Sequence, residues 1–202
     1  MENYIVINGQ TIELTEEQAE QIRASFREKS VQLSEVAAGQ TVKIGSHEMI
    51  VLDHIGGGTL LLRKESLDEM TFGENNNYDG SEVDTVCNEF AEEIAAIVGE
   101  DNILLHEVDL TADDGLKDYG VIQRKASLRT AQMQREYVEI LDKYRLDCWE
   151  WLATAFSTPT HGHETAVKCV SPSGFISNFN YYYCINGVRP FCILKSDIFV
   201  SN

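Results

Sequence analysis

Two histidines in the C-terminal quarter of the chain have a type and spacing that could bind a metal. His161 and His163 flank a single glycine, and further ligands would be needed to complete a tetrahedral zinc site. The sequence contains neither a C-x-x-C nor an H-E-x-x-H pattern, although structural zinc sites usually show such recognisable spacings. We therefore expect both histidines to be surface loop residues without a metal.

Other residues that could carry catalysis are better explained by structure. The glycines at positions 56–58 are not followed by Lys-Ser or Lys-Thr or by a helical pattern, so they predict a hairpin turn. No G-x-S-x-G turn is present to expose a serine nucleophile. The five cysteines show no framework spacing, and Cys87 lies on an apolar helical face, so we expect free, mostly buried thiols. These observations predict a protein that is not an enzyme and needs no cofactor.

A cluster of carboxylates in the middle of the chain raises the question of calcium. Asp109, Asp113, Asp114 and Asp118 lie within one short segment, and calcium takes about six to eight oxygen ligands. Their spacing does not match a helix-loop-helix calcium loop, and solvated aspartates in turns would give the same pattern. The sequence leaves both interpretations open.

The stretch SPSGFISNFNYYYCINGVRPFCIL, at residues 171–194, is rich in aromatic and amide side chains and contains three consecutive tyrosines. Tyrosine offers a large amphipathic contact area at a small cost in side-chain entropy, as in antibody loops. We therefore predict a face that binds a protein partner, with Arg189 as a structural residue whose guanidinium bonds carbonyls or a carboxylate beneath it. The residues assigned to the partner-binding face are Trp149, Trp151, Phe156, His161, His163, Asn178, Phe179, Asn180, Tyr181, Tyr182, Tyr183 and Asn186.

The elements that position this face follow from periodicity and turn signals. The pair Asn8-Gly9 between two β-branched runs predicts a hairpin, and Thr15 with Gln18 predicts a capped helix after it. A longer helix begins near Ser81, which with Asp84 resembles a capping box, and ends at Gly99. A further helix covers the stretch SLRTAQMQREYVEILDKYRLD. The C-terminal quarter is strand-rich, with strands predicted at CWEWLAT, AVKCVS, FISNFNYYY and GVRPFCIL.

The order of strands, helix, strand, helix and strands predicts an α+β fold with a mixed or antiparallel sheet. We expect residues 1–36 to form a hairpin-plus-helix appendage and residues 37–202 to form the main domain. No stretch reaches the roughly 18 apolar residues of a membrane span, and the first residues do not resemble a signal peptide. We therefore expect no membrane partner and a location in the bacterial cytoplasm.

The charge balance limits the classes of partner. The chain carries 33 acidic and 16 basic residues, for a formal net charge of −17. Such a field repels nucleic acids and anionic membranes, and it favours a basic partner, such as a nuclease with a positive groove. Solubility alone would also explain an acidic composition.

Several segments together resemble a domain of unknown function found in Firmicutes and their phages and mobile elements. They span residues 39–201, and the G-V-R-P ending is similar to that of C-type-lectin-like domains related to formylglycine-generating enzymes. The resemblance implies a C-type-lectin-like core, in which Glu150 stands where the family usually has an aromatic residue. The segments are FGENNNYDGSEVDTVCNEF, VDLTADDGLKDYG, SLRTAQMQREYVEILDKY, WEWLAT, VKCVSPSGFI and GVRPFCIL.

This group includes proteins diversified by retroelements that mutate adenines in a template. An asparagine codon randomised at its adenines can give Tyr, Ser, Phe, Ile, Cys, His, Thr, Gly or Asp, but never Lys, Gln, Glu, Met or Trp. The stretches ISNFNYYYCIN and FSTPTHGH obey this rule. Strands and turns are also depleted in Glu and Lys for ordinary reasons, so both explanations stay open.

Three functional hypotheses follow. The first is a phage-type or mobile-element binding protein that uses the partner-binding face. The second is an acidic inhibitor of a host defence nuclease, an anti-CRISPR or anti-restriction protein that imitates nucleic acid with the helical stretches EQAEQIRASFRE and NEFAEEIAAIVGED. The third, an enzyme of the formylglycine-generating type, depends on fold analogy alone.

Overall fold

A computed structural model describes residues 4–7, 10–27 and 30–201 of the chain. Within these residues the fold is α+β, with four α-helices and mainly antiparallel strands, as predicted. The helices are α1 (Glu16–Arg27), α2 (Glu82–Val98), α3 (Ala131–Glu136) and α4 (Val138–Leu141). The strands are β1 (Tyr4–Ile7), β2 (Gln10–Glu13), β3 (Ser30–Gln32), β4 (Thr41–Ile44), β5 (His47–Ile55), β6 (Gly58–Arg63), β7 (Asp68–Met70), β8 (Ile103–Leu104), β9 (His106–Asp109), β10 (Val121–Arg124), β11 (Ala126–Leu128), β12 (Glu150–Ala155), β13 (Ala166–Val170), β14 (Ile176–Asn180), β15 (Asn186–Val188), β16 (Pro190–Lys195) and β17 (Phe199–Ser201).

The larger sheet has eight strands in the order β11-β16-β6-β5-β4-β17-β3, with β8 also paired to β16. Its apolar core contains Met49, Leu61 and Leu194, which pack with Phe90 and Ile94 of α2. Met49, Leu61 and Leu194 have no exposed surface, so hydrophobic burial holds the sheet to the helix. The first core therefore lies between the larger sheet and the second half of α2.

The smaller sheet has five strands in the order β14-β13-β12-β15-β7, and only the β12–β15 pairing is parallel. One of its faces covers a second core, in which Trp151 and Cys169 pack with Val83 and Cys87 of α2. The first half of α2 thus packs in the second core, and the second half packs in the first core. This helix joins the two sheets into one packed body.

The two predicted helix caps and hairpin are present. Thr15 and Gln18 exchange reciprocal hydrogen bonds, and Ser81 Oγ accepts the N–H of Asp84, so both capping signals are confirmed. Helix α2 ends at Gly99, whose φ of 93° suits glycine. Strands β1 and β2 pair as an antiparallel hairpin, while the turn residues Asn8 and Gly9 lie outside the described residues.

Three local assignments from the sequence differ from the structure. The stretch predicted as one second helix begins as β11 and then forms α3 and α4, which are separated at Tyr137. Tyr181, Tyr182 and Tyr183 form a turn after β14, not a continued strand. Residues 30–36 of the predicted appendage provide β3 to the larger sheet and Leu33 to the first core.

Among the described residues, no helix combines the length and the apolar character that crossing a membrane requires.

Candidate partner-binding face

Two loops that the sequence assigned to the partner-binding face meet at one end of the smaller sheet. Loop A, residues 156–165, joins β12 to β13, and loop B, residues 181–185, joins β14 to β15. Because β13 and β14 are antiparallel with Ala166 opposite Asn180, the end of loop A lies beside the start of loop B. The N–H of Tyr181 donates to the carbonyl of Thr165 at 3.1 Å. The fold therefore brings together two segments that are distant in the sequence.

Loop B crosses the smaller sheet. Strand β14 is at the edge, and β15 lies beyond β13 and β12, so the connection must pass over two strands. Tyr181 and Cys184 pack against the second core, and the N–H of Phe72 donates to the carbonyl of Tyr181 at 2.9 Å. The rings of Trp149 and Phe179 also pack there, 4.5 Å apart between centroids. These aromatic side chains fill the space between loop B and the sheet.

The remaining side chains of loop B point outward. Tyr182 is 44% exposed, Tyr183 is 76% exposed and Ile185 is 64% exposed. The ring centroids of Tyr182 and Tyr183 are 4.0 Å apart, and those of Tyr181 and Tyr182 are 4.8 Å apart. A hydrogen bond with Tyr182 raises the pKa of the Tyr183 hydroxyl. The first pair meets edge-on and the second is tilted, so the three rings form one aromatic cluster that begins at the core and ends in solvent.

Loop A is held in place by the acidic segment. Asp114 Oδ2 accepts the hydroxyl of Ser157 at 2.6 Å, and Asp118 Oδ2 accepts the hydroxyls of Thr158 and Thr160, each at 2.6 Å. The bond from Ser157 lowers the pKa of Asp114, and the bond from Thr158 lowers the pKa of Asp118. Folding therefore favours the ionised carboxylates, and this contribution to stability is lost as the pH falls below their ordinary pKa.

A buried asparagine supports loop A from beneath. Asn76 has no exposed surface, and its Nδ2 donates to the carbonyls of Ser157 and Ala166 at 2.8 and 3.0 Å. The hydroxyl of Tyr119 donates to Asn76 Oδ1 at 2.6 Å. Sequence reasoning missed Asn76, because the middle residue of an asparagine triplet before a helix has the composition of an ordinary turn.

Three more residues assigned to the face are exposed near these loops. Phe156, 38% exposed, has the Nζ of Lys168 at 5.7 Å from its ring centroid. His161 and His163 are exposed in loop A, and His161 Nδ1 lies 3.0 Å from Asp114 Oδ2. Among the described residues, no group of three or more His, Cys, Asp and Glu side chains is arranged to hold a metal ion.

Two residues assigned to the face cannot touch a partner. Trp151 is completely buried, where its Nε1 donates to the carbonyl of Met70 at 2.8 Å and its ring packs against Phe72. Asn186 is only 2% exposed, so its side chain is buried within the fold. We therefore remove Trp151 and Asn186 from the contact residues, assign the half-buried Trp149, Phe179, Asn180 and Tyr181 to the layer beneath them, and add Ile185. The contact face, as the term is used below, consists of Phe156, His161, His163, Tyr182, Tyr183 and Ile185, all exposed. Asn178 is exposed too, but alternation along β14 points its side chain to the sheet face opposite Phe179.

Beneath the smaller sheet lies a buried charge cluster. Glu150 Oε2 accepts hydrogen bonds from Arg129 Nη2 at 2.8 Å and from Arg189 Nη1 at 3.4 Å, and these three residues are at most 3% exposed. Arg189 Nε also donates to the carbonyl of Arg63 at 2.7 Å, and burial lowers the pKa of Arg189. Arg189 thus connects β15 of the smaller sheet to β16 of the larger sheet. Alternation along β12 places Glu150 on the opposite face from Trp149 and Trp151.

The polar side chains of loop A do not form a catalytic triad. Asp114 lies between Ser157 and His161, because both side chains contact its Oδ2. A serine nucleophile instead requires the imidazole between the hydroxyl and the carboxylate, so that the imidazole can take the hydroxyl proton. The arrangement therefore fixes the loop and does not activate Ser157.

The cysteines are free thiols in the described part of the chain. Burial raises the pKa of Cys87, Cys169 and Cys192 to about 12. These thiols stay protonated at neutral pH, and a protonated thiol is a poor nucleophile.

In comparisons with known proteins, no family model, no curated protein and no solved structure shows a significant match to this chain.

Proposed function

We propose that this protein is a non-enzymatic binding protein of the phage or mobile-element type, which recognises a protein partner through the contact face. The observation that carries the proposal is the cluster of three contacting tyrosines, in which Tyr182 and Tyr183 are exposed while Tyr181 is packed against the core. Large aromatic side chains are common anchors of protein interfaces. We expect the partner to be met in the bacterial cytoplasm.

The bracing of both loops supports a binding role. Asn76, Asp114 and Asp118 hold loop A, and the backbone bonds of Tyr181 to Thr165 and Phe72 hold loop B. A surface that is already ordered loses little conformational entropy when a partner binds. Exposed aromatic residues on such a surface therefore contribute more to affinity than the same residues on a mobile loop.

We also propose that residues 39–201 form a C-type-lectin-like domain. The proposal is supported by the α+β class, by the two aromatic loops at one end of the smaller sheet and by the G-V-R-P segment that links the sheets. Diversification by a retroelement would fit this arrangement, because both stretches that obey the adenine rule contribute exposed residues to the contact face.

The contact face can be tested by photo-crosslinking from within it. A photoreactive phenylalanine analogue at Tyr183 should capture a partner in the bacterial host, and the same analogue at Phe199 is the control. Phe199 is 70% exposed on β17, in the larger sheet, so its accessibility is similar while its location differs. Equal capture from both positions, or capture from neither, would contradict the proposal.

Alanine variants then separate anchors from core residues. Tyr183→Ala should weaken binding of the captured partner by about 2 kcal/mol, or roughly 30-fold, and change stability by less than about 0.5 kcal/mol. Tyr181→Ala should lower stability by about 2–4 kcal/mol, below the range for fully buried aromatic residues because it is half-buried. Equal destabilisation by both variants without a selective effect on binding would show that the tyrosines are only core residues.

A second candidate function is an acidic inhibitor of a basic host nuclease, of the anti-CRISPR or anti-restriction kind. It is favoured by the outward side of α2, where Glu89, Glu92 and Glu93 are exposed, together with the net charge of −17. Carboxylates along a helix can imitate the phosphate spacing of a nucleic acid.

The two candidate functions differ in their salt dependence. Binding dominated by charge mimicry should weaken steeply with salt, and Glu89→Lys with Glu92→Lys should abolish it while Tyr183→Ala has little effect. Binding dominated by the contact face should persist at high salt. It should be weakened strongly by Tyr183→Ala and little by the two Glu→Lys substitutions.

A further inference from the structure

Strand β14 forms an open edge of the smaller sheet. Its one neighbour among the described strands is β13, with Lys168 opposite Asn178. The N–H of Tyr181 donates to the carbonyl of Thr165, and the N–H of Ser171 donates to the carbonyl of Phe175. In an antiparallel ladder, hydrogen-bonded pairs alternate with pairs that are not hydrogen-bonded. The hydrogen-bonded pairs are therefore Thr165 with Tyr181, Val167 with Phe179, Cys169 with Ser177 and Ser171 with Phe175.

This register fixes which backbone groups face the open edge. The N–H and C=O groups of Ile176, Asn178 and Asn180 point away from β13, about 6.8 Å apart, because every second residue of a strand repeats the same direction. Among the described residues, no strand or loop forms a backbone hydrogen bond with these groups. Three consecutive donor and acceptor pairs are thus open to an incoming strand.

The usual protections of a sheet edge are missing from β14. Exposed edge strands commonly carry proline, lysine or other charged residues that prevent pairing, but ISNFN contains none of these. The strand is also flanked by exposed aromatic residues, Phe175 before it and Tyr182 and Tyr183 after it. Backbone pairing along β14 would therefore continue directly into the contact face.

The charges around β14 indicate the kind of strand that fits. Between residues 145 and 194 the basic side chains are Arg145, Lys168 and Arg189. Arg145 lies beside Gly174 at the start of the edge, where it is paired with Asp142 at 2.9 Å, and Lys168 and Arg189 are only 7% and 1% exposed. Asp147 and Glu164 in the same part of the chain are exposed. The surroundings of the edge are therefore neutral or acidic. A second copy of this chain would bring another net charge of −17 to the same edge, which opposes pairing between copies.

We propose that β14 binds an extended, basic segment of the partner as a sixth strand of the smaller sheet. Backbone hydrogen bonds to Ile176, Asn178 and Asn180 supply affinity, and the tyrosines of loop B contact the side chains at the end of the segment. This inference rests on the proposed function, because it specifies the conformation, an extended strand, in which the partner binds beside the contact face.

The test compares two substitutions at one residue. Asn178→Pro and Asn178→Ala both remove the amide side chain, but only proline removes the outward N–H. That N–H makes no bond to β13, and proline is tolerated on the open side of an edge strand, so both variants should remain folded. The probe is a set of linear peptides selected on the immobilised full chain from a random library displayed on phage particles.

The selected peptides should be rich in Lys and Arg, and they should bind Asn178→Pro about tenfold more weakly than Asn178→Ala. Hydrogen exchange of the unmodified chain provides a second measurement, because the amides of Ile176, Asn178 and Asn180 should become protected when peptide is added. If the proline variant does not fold, hydrogen exchange of the unmodified chain still tests strand addition.

Equal affinity for the two variants, unchanged exchange at these amides, or a selection that yields acidic peptides or none would overturn strand addition. A sheet-edge dimer of this chain, detected by light scattering, would overturn it too. If binding responds to Tyr183→Ala and not to Asn178→Pro, strand addition fails while the proposed function stands. If binding responds to neither, both proposals fail.

Discussion

Glu150 holds two guanidinium groups in the interior of the protein. Arg129 and Arg189 both bond its Oε2, and Arg129 also bonds Gln134 at 2.7 Å. The cluster keeps one excess positive charge buried, and Nη1 of Arg129 and Nη2 of Arg189 have no hydrogen-bond partner in the part of the chain that the structure describes. Burying an ion pair contributes little net stability, but removing one member leaves charges without compensation. Glu150 is therefore more important to the fold than the energy of its two bonds suggests.

The substitution Glu150→Gln tests this cluster. Without the carboxylate, two buried guanidinium charges would lie close together, so we expect a loss of about 3–5 kcal/mol in the free energy of unfolding. Glu48→Gln is the matched control, because Glu48 pairs with Lys64 at 2.8 Å at the surface and should cost less than about 1 kcal/mol. Denaturant unfolding of both variants measures the difference, and similar losses would argue against a special role for burial.

His106 gives the protein a defined sensitivity to acid. It is 8% exposed, and burial lowers its pKa to about 4, from an ordinary value of 6.5. Below pH 6.5 His106 becomes protonated in the unfolded chain, whereas in the folded chain it stays neutral until about pH 4. Folding stability should therefore fall as the pH decreases through this window, by up to about 3 kcal/mol.

His106→Gln should flatten that part of the pH profile, and thermal unfolding from pH 7 to pH 4 measures it. The lowered pKa values of Asp114 and Asp118 affect stability mainly below about pH 5, so the slope between pH 6.5 and about pH 5 reports on His106. An unchanged slope in the variant would show that other groups cause the acid sensitivity.

At the scale of elements, loop A keeps its position because a buried amide joins both of its ends. Asn76 comes from the segment between β7 and α2, and it bonds the carbonyls of Ser157 and Ala166. The contact face therefore depends on an element that contributes no exposed residue to it. This explains how a loop with few apolar contacts can present Phe156 and His163 in a fixed arrangement.

Asn76→Ala should leave two buried carbonyls and the Tyr119 hydroxyl without their partner, at a cost of about 2–3 kcal/mol. Amide exchange in residues 156–166 should accelerate more than exchange in α2, because the loss is local. Asn75→Ala is the control, since Asn75 is exposed and bonds only a neighbouring turn N–H. A uniform acceleration across the chain would indicate that Asn76 supports the whole fold and not loop A in particular.

At the scale of the whole molecule, the net charge of −17 opposes the compact state. Local ion pairs offset part of this repulsion, as where Arg124 bonds Asp79 and Asp84 at 2.6 and 2.7 Å. Salt screens both effects, but long-range repulsion between exposed carboxylates is screened more than these short contacts. The balance between long-range repulsion and local ion pairs can be measured as the salt dependence of the melting temperature.

We expect the melting temperature to rise by about 2–4 °C when the ionic strength increases from about 0.01 M to about 0.15 M, corresponding to roughly 1 kcal/mol. The triple variant Glu89→Gln, Glu92→Gln, Glu93→Gln should show a smaller rise, because it carries less negative charge. A melting temperature that falls with salt would mean that the ion pairs outweigh the repulsion.

The sequence by itself determined the fold class, the helix caps and the ends of α2. Each of these depends on neighbouring residues: the apolar period of α2, the Thr15–Gln18 box and the glycine at position 99. Local signals were weaker for the tyrosine run, where the strand stops at Asn180 because the chain must cross two strands to reach β15. No residue in the tyrosine run predicts that crossing.

Only the tertiary structure decided which aromatic residues are core and which are exposed. Trp151 and Tyr183 each lie near other aromatic residues in the sequence, yet one is completely buried and the other is 76% exposed. Tertiary contacts also turned the acidic segment into the support of loop A, through bonds from Asp114 and Asp118 to hydroxyls about forty residues away in the chain. Burial and partners of this kind depend on strand order and register, because pairing between distant segments sets the face on which each side chain lies.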